Sequence, residues 1–364
     1  MGLHSRASVA LALLTGFPGF IGTRLVRRLI ADDPDLRIVA LVEGRMVDRA
    51  REVAAGIDGR RIEVVAGDIG ERDLGLGAQI ERLRGEVTTV FHLAAIYDLA
   101  VPLELAQRVN VEGTGNVLDF CAACERLERH VYVSTAYVAG LRRGVVYEHE
   151  LVMGQGFKNH YESTKFQAEA WVRERSDEVP TTIIRPAIVV GDSQTGETQK
   201  FDGPYYVLRV IARMGRAPLP QVGRAGAAFN AVPVDFVIDG MVVAARDPGA
   251  VGHTLHLVDP DPVSARELTE VFAREYAGRA PSYTASARAT QEALRFDVVR
   301  KALGGTPRES IRYLNHPVRF DTRQATDLLA RNGVRCPRFA DYAPALVRFF
   351  REHESDPAFG SRGG

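Results

Sequence analysis

The chain has 364 residues, a formal net charge of zero, and 46% hydrophobic and 25% charged residues. This length fits one large α/β domain with a smaller lobe, or two modest domains, and can bury a core without disulfides or metals. Balanced charge excludes partners recruited by bulk charge, such as nucleic acid or an acidic membrane surface. Three cysteines, Cys121, Cys124 and Cys336, point to a reducing compartment and so to the cytoplasm. Cys121 and Cys124 form a C-x-x-C within a helical pattern, with no second ligand pair at metal spacing, so no metal site is expected. No apolar run approaches the ~20 residues of a membrane span. The short run over 9–14 passes directly into a glycine-rich turn, which marks a buried strand rather than a secretion signal.

In chain order, the first half alternates short apolar runs with amphipathic stretches. Strands are predicted over 9–14, 37–42, 62–65, 90–93, 130–134 and 181–184, and helices over 23–31, 110–125 and 161–175. Such alternation implies βαβ units and a doubly wound, Rossmann-type parallel sheet, its carboxyl edge forming the ligand-binding side. Beyond Gly191 the character changes: 192–203 and 218–226 read as loops, 204–214 and 234–246 as helices, and 254–258 as a strand returning to the sheet. Helices over 263–277, 291–303, 322–331 and 339–353 complete a smaller, mostly helical lobe, and 360–364 reads as a disordered tail. The expected organisation is a dinucleotide-binding domain over 1–192, with 230–258 returning to it, and a substrate-binding lobe made of 193–229 and 259–364.

The run Thr15-Gly16-Phe17-Pro18-Gly19-Phe20-Ile21-Gly22 lies between a strand pattern and a helix pattern, its glycines spaced G-x-x-G-x-x-G. Glycines there allow a tight turn, close approach of backbone to a pyrophosphate, and helix–strand packing, while the helix N-terminus offers N–H donors to phosphate. Glu43 ends the second strand where a carboxylate can hold the adenosine ribose, and Arg45 can attract a 2′-phosphate. The two point to different cofactors, NAD or NADP, with Glu43 tipping the balance slightly to NAD. After the third strand, Asp68 can bond adenine, with Ile69 beside it. Leu93, Ala94 and Ala95 end the fourth strand with side chains small enough for the backbone to lie near the cofactor. His92 reads as a core histidine rather than a catalyst.

Tyr161-Glu162-Ser163-Thr164-Lys165 is Y-x-x-x-K at a helix start, a spacing that puts both side chains on one face. With 11 tyrosines and four lysines in the chain, only about 0.1 such pairs are expected by chance. A nearby ammonium is expected to lower the tyrosine pKa from its free value of ~10. Ser134 and Thr135 leave the fifth strand on the same edge, and either hydroxyl can hold a reacting oxygen. Asn110 can hold a water that relays protons from Lys165, or simply cap a helix.

Taken together in this order, TGFPGFIG, GDI, HLAA, VSTAYVAG, YESTK and Arg185-Pro186 resemble the extended short-chain dehydrogenase/reductases over at least residues 9–260. The segments VYVSTAYVAG, NHYESTKFQAE, IIRPAIVVGDSQTGE and VPVDFVIDG look most like the fatty acyl and thioester reductase branch, which includes carboxylic acid reductase terminal domains. The resemblance implies Thr135, Tyr161, Lys165 and Asn110 as the catalytic set. It also implies that Pro186, Ala187, Ile188 and Val189 lie along the nicotinamide side of the cofactor. The implied activity is hydride transfer to or from a carbonyl, with an apolar acyl thioester or aldehyde as substrate and no nucleic acid or membrane span; a homo-oligomer is compatible with it. Ala136, Tyr147, Phe157, Tyr205 and Tyr206 are the expected substrate wall. A ketone or alcohol dehydrogenase of hydroxysteroid or dihydroflavonol type, a nucleotide-sugar epimerase, and a non-catalytic dinucleotide sensor remain as alternatives.

Overall fold

Leu11–Thr15 (β1) is buried at every position, as expected of a strand covered on both sheet faces. In the computed structural model, residues 10–97, 101–222, 226–286, 290, 292, 295–296, 313 and 316–359 are described. There β1 joins Arg37–Val42 (β2), Ile62–Ala66 (β3), Thr89–His92 (β4), Arg129–Val133 (β5), Thr181–Pro186 (β6) and Thr254–Leu257 (β7) in a seven-stranded parallel sheet. The strand order is β3-β2-β1-β4-β5-β6-β7. The winding reverses between β1 and β4, and a crevice outside the carboxyl ends is expected at that point. Register puts Thr15 opposite His92, and His92 opposite Tyr132, so β1 and β4 end in one row and β5 one residue beyond it.

Helices flank the sheet: Phe20–Asp32 (α1), Val47–Asp58 (α2), Ile80–Glu86 (α3), Gly113–Ala122 (α4) and His160–Glu174 (α5). In α1, Leu25, Val26, Leu29 and Ile30 are buried along one stripe, the apolar face that a helix lays on a sheet. Leu13, Val39, Val90, Val117, Phe120 and Ala168 lie in the core between the layers.

The helix predicted over 110–125 differs at both ends. It begins as Leu103–Ala106, passes through a π-helical turn at Gln107–Glu112 and ends at Ala122. Cys124 therefore lies past the helix. The Cys124 N–H bonds Cys121 in a tightened last turn, and the Glu125 N–H donates to Arg84 O, drawing the chain away.

The chain divides into two compact units. Met1–Gly140, Leu151–Arg185 and Ile238–Leu255 make the first; Leu141–Glu150, Pro186–Val237 and His256–Gly364 make the second. The second contains Tyr205–Met214 (α6), the start of Val234–Arg246 (α7), Ala265–Ala277 (α8), Arg323–Arg331 (α9) and Phe339–His353 (α10). Phe201, Tyr205, Leu208, Phe272, Tyr342 and Phe350 pack as its core. Helix α8 starts with a complete capping box, Ser264 with Glu267, and ends at Gly278 in the left-handed region, both strong boundary signals.

Among the described residues, three two-stranded parallel ribbons accompany these helices. Ile188–Val190 pairs with Ala231–Pro233, Pro220–Val222 with Tyr283–Ala285, and Gly144–Val146 with Val318–Phe320. The second of these corrects the expectation that 218–226 is loop throughout; three residues are too few for a periodicity to register. Residue 9, most of the helix expected over 291–303 and the tail at 360–364 lie outside the described residues. Among the described residues, no helix is long and apolar enough to cross a membrane.

Candidate active site

The glycine-rich turn leaves β1 at the reversal point of the sheet. Gly16 has φ +89°, and a Cβ on it would lie 2.9 Å from Leu93 Cβ and 3.1 Å from Ala94 N. A Cβ on Gly19 or Gly22 would approach Gly16 O to 2.8 Å or 2.5 Å. Only glycine fits at all three positions. Helix α1 opens at Gly19 with no side-chain cap and no acidic residue in its first turn, so its first N–H groups face outward without an internal acceptor. Thr15 Oγ1 accepts the N–H groups of Leu93 at 3.1 Å and Ala94 at 3.0 Å, joining the ends of β1 and β4 behind the turn. This uncapped, side-chain-free cradle fits a dinucleotide pyrophosphate.

Around it, Glu43 and Arg45 are exposed and paired with each other at 2.9 Å. Asp68 accepts the Gly70 N–H at 2.8 Å and pairs with Arg108 at 2.8 Å. Ile69 is buried, while Leu93, Ala94 and Ala95 are half-buried.

The catalytic-type residues lie on α5 and the end of β5. Asn159 caps α5 by accepting the Glu162 N–H at 2.9 Å. Tyr161, Lys165 and Glu169 follow at intervals of four, one stripe of the helix. Each meets a residue from β5 or the turn after it. Thr135 lies beside Tyr161 and favours its ionised form. Lys165 Nζ donates to Tyr132 Oη at 2.8 Å and to Val133 O at 2.7 Å. Ser134 donates to Glu169 at 2.6 Å. Three consecutive residues, Tyr132 to Ser134, are thus tied to one helix face.

Behind this face, Arg185 at the end of β6 pairs with Glu169 at 2.6 Å, and Arg173 does so at 3.0 Å. Lys158, bonded to Glu162 and to Gly140 O, pins the turn after Thr135 to the start of α5. A Cβ on Gly140 would meet Gly156 O at 2.1 Å, so glycine is required there too.

The electrostatics reverse one expectation. Burial pushes Tyr161 up to about 12, against the lowering influence of Thr135. Part of the ring is open to solvent, yet the hydroxyl sits in dense surroundings. The lysine does not lower the tyrosine as predicted, because its ammonium points to Tyr132 and Val133 and its charge is itself disfavoured. Burial, opposed by Glu169, brings Lys165 down to about 7.

Asn110 lies in the π-helical turn, fully buried. Its Oδ1 accepts the Ile96 N–H at 2.8 Å and its Nδ2 donates to Thr164 at 3.0 Å, so the side chain ties the loop after β4 to α5.

Of the expected substrate wall, Ala136 is buried in the turn after Thr135, and Phe157 packs on Phe166 with ring centroids 5.1 Å apart. Tyr147, stacked on His149, and the buried Tyr205 and Tyr206 lie in the second unit, Tyr205 within its core. Pro186, Ala187, Ile188 and Val189 also belong to the second unit. Tyr97, which no motif flagged, meets the Tyr161 ring edge-on at 5.3 Å.

A family model described as male sterility protein matches residues 14–241. The chain belongs to that family. As a male sterility family member it has the extended short-chain dehydrogenase/reductase fold that its motifs imply. It is 29% identical over 273 residues to a linear gramicidin synthase subunit of Brevibacillus parabrevis, covering 71% of this chain and 5% of that protein. Fatty acyl-CoA reductase 1 of Arabidopsis thaliana is 23% identical over 346 residues, covering 73% of this chain and 70% of that one. The solved terminal R domain from the myxalamid PKS-NRPS biosynthetic pathway matches with a TM-score of 0.81 at 28% identity, over 96% of this chain and 92% of that domain. The chain thus spans only a small part of the gramicidin synthase polypeptide it matches.

In this male sterility family member the Glu169–Arg185 pair makes a stability prediction. Burial alone would raise the Glu169 pKa, but Arg185, Arg173 and Ser134 outweigh it and hold the carboxyl at about 2, against an ordinary 4.5. The folded value lies below the unfolded one, so the stabilisation, ~3 kcal/mol, is complete above about pH 4.5 and is lost as pH falls through 2. Glu169→Gln leaves Arg185 buried without its countercharge and is expected to cost about 3–5 kcal/mol, read as a lowered urea midpoint at neutral pH. An unchanged midpoint would show that the pair does not hold the helix to the sheet.

Proposed function

We propose that this chain is an NAD(P)H-dependent reductase of an acyl thioester or the derived aldehyde, acting through Thr135, Tyr161 and Lys165. The observation that carries this reading is the placement of Tyr161 and Lys165 one turn apart on one helix face, with Thr135 beside Tyr161 and Lys165 bonded to the end of β5. When bound, the reduced nicotinamide supplies the hydride. Thr135 holds the carbonyl oxygen, and Tyr161 gives it a proton as negative charge develops. A thioester carbon that has taken the hydride then expels its thiol, leaving an aldehyde. With its pKa near 12, Tyr161 keeps its proton at neutral pH, which favours donation and hence reduction. Lys165 has three N–H donors; two are engaged by Tyr132 and Val133, and the third is free to hold the nicotinamide ribose. The relatives named as a gramicidin synthase subunit and a fatty acyl-CoA reductase support a thioester substrate.

On the cofactor, Glu43 favours NADH, since its carboxylate can accept both ribose hydroxyls and repels a 2′-phosphate. Arg45, held on Glu43, would have to turn away to receive that phosphate. The free thiols of Cys121, Cys124 and Cys336 suit a reducing, cytoplasmic setting.

The test is consumption of NADH and NADPH by the purified chain with a long-chain acyl-CoA and with the matching aldehyde. Turnover is expected on both, with NADH serving at least as well as NADPH. Oxidation of alcohols alone, or cofactor binding without turnover, would overturn the reductase reading. An NADPH preference of about a hundredfold would overturn only the cofactor preference.

A further inference from the structure

Five buried polar side chains form one contiguous row behind the site. Lys165 Nζ donates to Tyr132 Oη at 2.8 Å, and the Tyr132 ring stacks on His92 with centroids 5.7 Å apart. His92 Nε2 lies 3.1 Å from Thr114 Oγ1, and His92 Nδ1 lies 2.8 Å from Thr15 Oγ1. None of the five is more than 2% exposed. Thr15 and His92 end β1 and β4, and their register partner Tyr132 is the penultimate residue of β5, so the row crosses the sheet.

The donors and acceptors settle where the protons are. Thr114 donates its hydroxyl proton to Asn110 O at 2.7 Å, so its oxygen receives from His92 Nε2–H. Thr15 Oγ1 already accepts two backbone N–H groups and gives its own proton to His92 Nδ1. His92 is therefore a neutral, single-tautomer imidazole. Its burial, with Lys165 and His130 nearby, keeps its pKa well below the ordinary value.

We infer that Tyr132 is a positioning residue for Lys165, and that Thr114 and His92 couple it to Thr15, where the glycine-rich turn departs. The seat of the lysine and the root of the dinucleotide turn are then one rigid unit. The Tyr132 hydroxyl accepts from Nζ while its ring lies 4.3 Å beneath it. Both favour the ammonium and aim its remaining N–H. The titratable groups around the lysine are Glu169 and Tyr161 on its own helix, His92 on β4 and Tyr132 on β5. This inference rests on the reading that Lys165 holds the dinucleotide.

The test is the pH dependence of NADH and NADPH affinity, followed by cofactor fluorescence, with thermal midpoints as a check on folding. Removing the Tyr132 oxygen destabilises the ammonium, so Lys165 loses its proton at lower pH. Tyr132→Phe is expected to move the alkaline loss of affinity about one pH unit toward acid, with roughly tenfold weaker binding near neutrality. Thr114→Val removes the hydroxyl that holds His92 against the Tyr132 ring and should act in the same direction, by about two- to threefold. The double variant should bind no worse than Tyr132→Phe alone, because both interrupt one row. An unmoved pH limb in folded Tyr132→Phe, or losses that multiply in the double variant, would overturn the coupling. Lys165→Met should abolish the limb. If it binds normally and keeps the limb, the reading of the lysine itself falls, and the coupling with it.

Discussion

Tyr161→Phe is expected to lower turnover by ~10²–10⁴-fold while leaving dinucleotide affinity unchanged. The substitution removes one hydroxyl and keeps the ring, which stays packed edge-on against Tyr97. Thr135 loses a neighbour but still accepts the Tyr137 N–H. The whole loss should therefore appear in kcat and not in cofactor binding. A tyrosine held near 12 stays protonated across the working range. The wild-type rate of reduction should thus show no limb from Tyr161 at neutral pH. It should instead decline as pH rises through about 7, where Lys165 gives up its charge. Steady-state rates on the acyl thioester and on the aldehyde, with fluorescence titration of the cofactor, check both parts. If Tyr161→Phe turns over like the wild type, the tyrosine is structural and the mechanism fails.

Gly19→Val should weaken dinucleotide binding by more than about a hundredfold. A branched side chain would stand in the path of the phosphates, as the glycine spacing alone implies. The structure adds a cause within the protein. Gly19 has φ −64° and ψ 168°, which any residue adopts, so the backbone angle is not the obstacle. The obstacle is Gly16 O, only 2.8 Å from where the new Cβ would sit. The turn must open to make room, and the first N–H groups of α1 then lose their common aim. Gly19→Ala, which adds the same Cβ, should already show most of the loss. Undiminished affinity in a folded Gly19→Val variant would remove this turn from consideration as the phosphate site.

Much of the fold is legible in the sequence because its signals are local. The apolar runs of β1 to β6 and the periodicity of α1 and α5 mark strands and helices without reference to anything distant. The glycine spacing and Tyr161–Lys165 are equally local, each lying within one turn or one helix. What sequence reasoning misses depends on residues far apart in the chain. Glu169 meets Ser134 and Arg185 across 35 and 16 positions, and Lys165 reaches Tyr132 across 33. No spacing rule links such pairs, so the sequence pairs the lysine with the tyrosine four residues away instead of the one on the neighbouring strand. The π-helical turn around Asn110 escapes because its apolar pattern resembles that of an α-helix. The three short ribbons escape because their partners, too, are distant in sequence.

The division of the chain has a practical consequence for exchanging specificity between relatives. The polypeptide passes from one unit to the other after Gly140, Glu150, Arg185, Val237 and Leu255. The excursion Leu141–Glu150 is the least expected, since it leaves and re-enters between Thr135 and Tyr161. Glu148 anchors it, its carboxylate accepting the His256, Gln324 and Ala325 N–H groups, two of them in the opening turn of α9. A chimera that swaps only the C-terminal stretch would therefore set this Glu148 against a foreign helix start. Grafting the second unit from another family member should be best tolerated when the ten residues 141–150 travel with it. The segment threaded between Thr135 and Tyr161 thus belongs, for the purposes of recombination, with the second unit.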